Sequence, residues 1–122
     1  MTAFLPLAGL RVLDVTSSLA GPYCTEILAA LGADVVKVER PDGGDDTRAW
    51  GPPFVDDAGA MFLCANASKR SLALALSDPD GRDALLRLAD RVDVFVQSLR
   101  PGLAEARGLG YKVLSGPNPR LV

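Results

Sequence analysis

Residues Leu10–Arg40 read LRVLDVTSSLAGPYCTEILAALGADVVKVER, and their pattern decides the fold. An apolar run ends in three polar residues, which predicts a buried strand that enters a polar loop. Gly21 and Pro22 open a predicted helix, with Pro22 in the first helical position, where an N–H would have no partner. Gly32 follows in the place of a left-handed C-terminal cap. The valines of Asp34–Glu39 predict a second strand in a parallel sheet that is covered on both faces.

The predicted helix has one apolar face, which we expect to pack on the sheet. This face consists of Tyr23, Ile27, Leu28 and Leu31. A right-handed βαβ unit places the loop after its first strand and the end of its second strand on one edge of the sheet, where open α/β sheets bind ligands. The free N–H groups at Pro22–Thr25, apart from the proline's, would favour an anion beside Ser17 and Ser18. Arg40, with no evident partner, would come close to the same place.

The composition is that of an ordinary globular protein. The 122 residues are enough for one domain that buries roughly two-thirds of its unfolded surface. A net charge of −2 gives no electrostatic reason to expect nucleic acid or an anionic membrane as a partner. No stretch approaches the ~20 apolar residues of a membrane span, and the first residues lack the pattern of a signal peptide. We therefore expect a protein that acts in the cytoplasm.

The content of histidine and cysteine restricts the chemistry. The chain has no histidine, and its two cysteines, Cys24 and Cys64, lack CxxC spacing. We expect both to be small buried hydrophobic residues and expect no metal site. Since a Ser-His-Asp or Cys-His arrangement cannot be made from this chain, chemistry would depend on carboxylates, lysine, hydroxyls or a bound cofactor.

The segment Arg40–Asp57 holds prolines and glycines among charges, which predicts a long surface loop without regular elements. Trp50 could form an apolar wall over a pocket or, together with Phe54, pin the loop to the core. Further along, Lys69 and Arg70 directly precede a predicted strand and could contact phosphate.

The later elements follow from the same patterns. Asp78 and Pro79 form a strong helix start. The predicted elements are a short helix within Ala58–Ala67, a strand at Ser71–Leu76, a helix from Pro79 to about Arg91 that buries Ala84, Leu85, Leu88, Ala89 and Val92, a strand at Val92–Gln97, and short helices at Leu103–Arg107 and Tyr111–Ser115. Residues 120–122 look like the start of a strand with no closing turn. We expect the chain to be the N-terminal part of something longer.

Several motifs together resemble the family III CoA-transferases. They are LxGLRVLDVT at 7–16, AGPYCTEILAALGADVVKVERP at 20–41, GDDTRAWGPPF at 44–54, NASKRSLAL at 66–74, DVFVQSLRPG at 93–102, and GLGY with NPRLV near the end. The resemblance implies an α/β fold, in which residues 1–122 form the N-terminal, Rossmann-like, CoA-binding part with a parallel sheet and flanking helices. It also implies an enzyme that moves CoA from an acyl-CoA to a carboxylic acid and is an interlaced homodimer at full length.

The resemblance carries the family's CoA contacts onto the predicted ligand edge. These positions are Ser18, Leu19, Arg40, Leu74, Ala75, Leu76, Ser77, Ser98, Leu99 and Arg100. The family usually has asparagine where this chain has Ser98, which can still form a hydrogen bond. It has arginine where this chain has Ala106, and Arg107 is displaced by one position. The contact near Ala106 therefore stays open.

The resemblance also implies the catalytic group. In the family an aspartate attacks the acyl-CoA thioester and carries CoA covalently before passing it to the acceptor acid. That aspartate lies beyond the NPRLV segment, so no residue of 1–122 is assigned a catalytic role. We expect the 122-residue chain alone to be inactive and to self-associate through uncovered sheet edge and helix faces.

Other classes remain open from the sequence. Glu39 ends the second strand about where the ribose-binding acid of a dinucleotide-binding domain would lie, although the first loop reads SSLAGP and lacks G-x-G-x-x-G. A non-catalytic nucleotide-binding module is a second alternative. Within the resembling family, α-methylacyl-CoA racemases share the scaffold, but the loop GDDTRAWGPPF looks more like that of the transferases.

Overall fold

A computed structural model of the chain describes residues 4–122. Its elements are β1 (Arg11–Val15), α1 (Ala20–Ala30), β2 (Asp34–Glu39), a 3-10 helix (Asp46–Ala49), β3 (Phe54–Val55), β4 (Ala58–Gly59), α2 (Ala60–Ala65), β5 (Arg70–Ala73), α3 (Pro79–Ala89), β6 (Val94–Gln97), α4 (Leu103–Ala106) and α5 (Tyr111–Ser115). The helices and strands predicted before residue 120 are all present, but β5, β6 and α3 are shorter than expected. The 3-10 helix and β3 lie where we expected irregular loop, and β4 lies at the start of the segment that was predicted to hold a short helix.

Four strands form a parallel sheet in the order β5-β2-β1-β6. Counted along the chain within this sheet, the order is third, second, first, fourth, which is the strand order of a Rossmann-type sheet. The predicted α/β fold is therefore confirmed. At the free edge of β6, the Val122 N–H donates to the Asp93 carbonyl at 3.1 Å and the Val122 carbonyl accepts from the Phe95 N–H at 2.9 Å. This is the pattern of a parallel neighbour, so only the last residue of the predicted closing strand pairs.

One face of the sheet is covered by an apolar cluster. Leu13 of β1 and Val38 of β2 pack there with Leu85 and Ala89 of α3, both fully buried. The predicted inner face of α3 is thus confirmed at its two most buried positions. The helix also begins as predicted, because the carboxylate of its N-terminal cap, Asp78, accepts a hydrogen bond from a backbone N–H of the first turn.

The opposite face buries charge. Asp14 of β1 is completely buried, and its carboxylate accepts hydrogen bonds from the Thr25 hydroxyl at 2.5 Å and from Lys69 Nζ at 3.0 Å. Lys69 Nζ also donates to the Pro22 carbonyl at 2.7 Å and to Asn66 Oδ1 at 2.8 Å. An ammonium group has three donors, and all three are used here. The predicted phosphate contact of Lys69 is therefore wrong.

A phosphate contact of Arg70 stays a prediction, although the structure places this residue away from the predicted ligand edge. Arg70 begins β5, so it lies at the end of the sheet opposite to the carboxyl ends of the strands. There its guanidinium pairs with the carboxylate of Asp34, the first residue of β2, at 2.7 Å, and both side chains are largely exposed.

The buried charge also decides how α1 packs. The helix turns Pro22, Thr25 and Ala29 toward the sheet, because the buried Asp14 requires a hydroxyl and a lysine near it. The predicted packing face is wrong for three of its four residues, since Tyr23, Ile27 and Leu31 are exposed by 55%, 42% and 41%. Only Leu28 is partly buried and packs against the apolar residues of the sheet as predicted.

Further details of α1 also differ from the predictions. The helix begins at Ala20, so Pro22 is its third residue and not its first. Both cysteines, Cys24 on α1 and Cys64 on α2, are exposed and not buried as we expected. Gly32 follows the helix with φ of 103°, which confirms the predicted left-handed cap.

A second group of buried charges anchors the loop after β2. The Glu39 carboxylate accepts from Arg48 Nε at 2.7 Å and Nη2 at 2.8 Å, from Ser71 Oγ at 2.7 Å, and from the Asp45 N–H at 3.0 Å. The Arg48 guanidinium also lies 3.8 Å from the centre of the Phe62 ring. Burial alone would raise the pKa of Glu39, but the hydrogen bonds from Arg48, Ser71 and Asp45 outweigh it and lower the pKa to about 2. These contacts hold the loop against the end of β2.

Neither predicted role of Trp50 is found in residues 4–122. Trp50 and Phe54 are exposed by 51% and 52%, so they do not pin the loop to the core. Trp50 also lies outside the lining of the cavity of about 600 Å³ at the carboxyl ends of the parallel strands.

The longest helices among residues 4–122 have 11 residues, and none is long and apolar enough to cross a bilayer.

The buried pair Asp14–Lys69 generates a stability prediction. Lys69→Met leaves a buried carboxylate without its cation, and we expect the free energy of unfolding to fall by about 3–5 kcal/mol. Arg70→Met removes the neighbouring but exposed ion pair and serves as the control, with an expected loss of at most about 1 kcal/mol. Urea unfolding followed by circular dichroism measures both. Equal effects of the two substitutions would contradict the inferred importance of the buried pair.

The Glu39 carboxylate generates a pH prediction. Its pKa is about 2 in the folded protein against an ordinary value of 4.5. Its contribution to stability is therefore complete above pH 4.5 and is lost as the pH falls from 4.5 toward 2, by up to about 3 kcal/mol. Thermal unfolding at a series of pH values measures this loss. In Glu39→Gln the loss of stability between pH 4.5 and 2 should be smaller by that amount. If this variant shows the same pH dependence of stability as the unmodified protein, the lowered pKa of Glu39 is refuted.

Candidate ligand-binding site

A cavity lies at the carboxyl ends of the parallel strands, as the topology predicts. Its volume is about 600 Å³. Its walls come from the end of β1 and the loop that follows, from the end of β2 and the loop up to Asp46, and from the segments directly after β5 and β6. Arg107, which directly follows α4, lines it as well.

Most of the predicted contact residues line this cavity. They are Arg40, Leu74, Ala75, Leu76, Ser77, Ser98 and Leu99. Ser18, Leu19 and Arg100 are outside its lining: Ser18 lies in the loop after β1, Leu19 caps α1, and Arg100 lies in the turn after β6. The structure thus brings most of these positions to one place, and their contact with CoA stays a prediction.

The loop after β1 is tied to two other strand ends. The Ser17 N–H donates to Ser98 Oγ at 3.1 Å, and the Ser18 N–H points to Asp45 Oδ1 at 3.4 Å. Ser18 has φ of 69°, a left-handed conformation that is uncommon for a residue with a side chain. Because α1 begins at Ala20, the Tyr23 N–H donates to the Leu19 carbonyl inside the helix. The free N–H groups that we predicted from Tyr23 onward are therefore not available to an anion.

Lys37 and Asp45 form the buried side of the cavity. Lys37 Nζ lies 2.9 Å from Asp45 Oδ2 and donates to the Thr16 carbonyl at 2.9 Å. Asp45 also accepts from the Thr47 N–H at 3.0 Å and from the Thr47 hydroxyl at 2.7 Å. Burial alone would raise the pKa of Asp45, but the hydrogen bonds from Thr47 and Lys37 outweigh it and lower the pKa. The two side chains form a buried ion pair.

The sequence analysis missed this pair, although one signal was present. Lys37 stands between Val36 and Val38 in a strand that we interpreted as buried on both faces. A lysine inside such a strand needs a buried acid. The sequence did not say which acid would supply it, because several lie in the loop that follows.

Arg40 lies at the rim of the cavity. We had expected it to have no partner, and this expectation is wrong. Its Nε donates to the Gly44 carbonyl at 3.1 Å, and its Nη2 pairs with the carboxylate of Asp46. Both charged side chains of this pair are well exposed, at 64% and 63%. The positive charge of Arg40 is thus partly neutralised but still open to solvent.

Arg107 is the second arginine of the cavity. It is half-buried and takes part in none of the ion pairs found among residues 4–122. The preceding Ala106 is exposed and is outside the cavity lining. The arginine that is displaced by one position from the family pattern therefore still reaches the cavity.

Glu39 lines the cavity but is engaged elsewhere. Its two carboxylate oxygens already accept from Arg48, Ser71 and the Asp45 N–H. An acid that binds ribose must be free to accept from the ribose hydroxyls. The structure thus gives no support to the dinucleotide-binding alternative at this residue.

Comparisons with known proteins agree with this fold. Succinyl-CoA:glutarate CoA-transferase of Homo sapiens is 45% identical over 122 residues, which cover 100% of this chain and 28% of that protein. Succinyl-CoA:mesaconate CoA-transferase of Haloarcula hispanica is 50% identical over 121 residues, which cover 95% of this chain and 30% of that protein. The crystal structure of a CAIB/BAIF family protein from Brucella suis superposes with a TM-score of 0.92 at 40% identity and covers 98% of this chain and 32% of that one.

The chain thus spans less than a third of the length of these relatives. The family's sequence pattern nevertheless matches residues 7–122, which are almost the whole of this chain. With the sequence motifs, the parallel sheet and the superposition in agreement, the chain belongs to CoA-transferase family III.

Proposed function

We propose that this chain forms the nucleotide-binding part of a longer CoA-transferase, which moves CoA from an acyl-CoA to a carboxylic acid. The observation that carries the proposal is the cavity of about 600 Å³ at the carboxyl ends of the parallel strands, with Arg40 and Arg107 at its surface. CoA offers phosphate groups that arginines bind through charge-assisted hydrogen bonds. The cavity therefore has both the position and the charged groups that such a ligand requires.

The remaining residues that line the cavity fit the adenine end of the nucleotide. Leu74 and Leu76 lie in the segment directly after β5 and are partly buried in the apolar cluster under the sheet. An adenine ring needs an apolar surface beside polar groups that orient it. Ser77 and Ser98, which line the same cavity, supply hydroxyl groups for this purpose.

The nucleophile is expected outside residues 1–122, and the buried acids of this chain support that expectation. Asp14, Asp45 and Glu39 are each paired with a lysine or an arginine and accept further hydrogen bonds. A carboxylate whose lone pairs are engaged in this way is held in place and is a poor nucleophile toward a thioester. These acids are structural, and catalysis in the proposed enzyme requires another carboxylate.

The names of the relatives suggest the class of substrates. They pair succinyl-CoA with glutarate or with mesaconate. We therefore propose a dicarboxylic acid as the acceptor and the CoA thioester of another as the donor. The proposed full-length enzyme is a cytoplasmic homodimer, in which the exposed apolar stripe of α1, formed by Leu19, Tyr23, Ile27 and Leu31, would be covered.

The arginines of the cavity generate a binding prediction. In the full-length protein, Arg40→Ala should weaken CoA binding by about 1.5–3 kcal/mol, because a charge-assisted contact to phosphate is lost. Arg107→Ala should have an effect of the same size. Arg70→Ala is the matched control, since Arg70 is also exposed and paired with an aspartate but lies at the opposite end of the sheet. Isothermal titration calorimetry that finds all three variants alike would refute the proposed site.

The choice of nucleotide generates a second prediction. We expect the full-length protein to bind CoA in preference to NAD, because Glu39 is not free to bind a ribose and the first loop lacks the glycine-rich pattern. Direct titration of both ligands under the same conditions decides between them. Tight binding of NAD with no binding of CoA would overturn the proposed function.

A further inference from the structure

We propose that Asp46 masks Arg40 and thereby sets the affinity of the cavity for the phosphate of its ligand. The inference rests on the proposed function, because it takes a phosphorylated ligand in this cavity as given. Asp46 is then a specificity-determining residue that a binding ligand must displace.

The first argument concerns the donors of Arg40. The Asp46 carboxylate occupies Nη2 of Arg40, and both residues line the cavity. The Gly44 carbonyl already occupies Nε. Because the Gly44 carbonyl holds Nε, a phosphate can bind Arg40 in two-pronged fashion only through Nη1 and Nη2, where it competes with Asp46 for Nη2. A carboxylate that stayed in place would also repel the anion.

The second argument excludes the opposite role, in which Asp46 holds Arg40 in position for the ligand. The Gly44 carbonyl anchors Arg40 independently of Asp46. Gly44 itself is fixed by its surroundings: it has φ of 68°, and a Cβ there would lie 2.5 Å from Glu39 Oε2. Since Glu39 is locked to Arg48, the loop supplies the anchor. Asp46 is then free to move without loss of the arginine's position.

The third argument comes from a neighbouring acid. Asp42 also lines the cavity and is exposed, but it forms none of the ion pairs found among residues 4–122. Asp42 contributes only general repulsion to an anion in the cavity, whereas Asp46 contributes repulsion and direct competition for Arg40. Asp42→Asn is therefore the matched control for Asp46→Asn, because it removes the same charge from the same cavity.

The experiment is calorimetric titration of the full-length protein with CoA and with dephospho-CoA. Asp46→Asn should tighten binding about two- to fivefold more than Asp42→Asn, and this gain should shrink at high salt. The gain should vanish when Arg40 is replaced by alanine. A gain with CoA alone assigns the 3′-phosphate to Arg40, a gain with both ligands assigns the diphosphate, and either result supports the masking.

Other outcomes overturn the inference. Binding in Asp46→Asn that is no tighter than in Asp42→Asn, or a gain that persists without Arg40, shows that Asp46 does not compete with the ligand. Absence of CoA binding in the unmodified protein is a different result, because it refutes the proposed function itself. Inorganic pyrophosphate titrated against the same variants then tests the masking alone, and an equal affinity in all of them overturns it. Circular dichroism confirms that each variant is folded.

Discussion

Burial of charge on one face of the parallel sheet is the constraint on which the rest of the structure depends. Asp14, Lys37 and Glu39 point to this face from the two central strands, and each is matched by an opposite charge. The partners, Lys69, Asp45 and Arg48, come from segments outside those strands. Because a buried charge without its partner costs several kcal/mol, each pair ties one such segment to the sheet. Two of the pairs, Lys37–Asp45 and Glu39–Arg48, lie at the cavity, and the opposite face supplies the apolar cluster.

The same constraint explains how α1 packs. Spacing alone places Tyr23, Ile27 and Leu31 on one face of the helix, and in most amphipathic helices such a face covers the core. Here the sheet offers Asp14 beneath the helix, so Thr25 faces inward and donates its hydroxyl. Lys69 reaches the same acid and bonds the Pro22 carbonyl. The apolar stripe is left on the outside because the polar requirement of the core decided the orientation.

The sequence was sufficient for the architecture and for the edge that carries the cavity, since strand periodicity, Pro79 and Gly32 act locally. It was not sufficient for contacts between residues far apart in the chain. Asp14 and Lys69 are separated by 55 positions, and nothing local to Lys69 distinguishes it from a surface lysine. Cys24 was assigned to the core by residue type, but it belongs to a helix whose outer surface is apolar. The wrong expectations for Lys69, for Cys24 and for the inner face of α1 had the same origin: local polarity was used to judge burial, whereas the pairing of charges decided it.

The pairing of buried charges also determines what the cavity can offer a ligand. Lys37 is neutralised by Asp45, and Glu39 by Arg48, so none of these groups presents a net charge to the cavity. The charges left to act on an anion are those at the rim, where Arg40 is shared with Asp46 and Arg107 forms no ion pair within residues 4–122. Ion pairs at the rim are solvated and exchange partners at little cost, whereas breaking one of the buried pairs costs several kcal/mol. The frame of the site is therefore rigid, and its affinity for anions is adjustable by single charges at its rim.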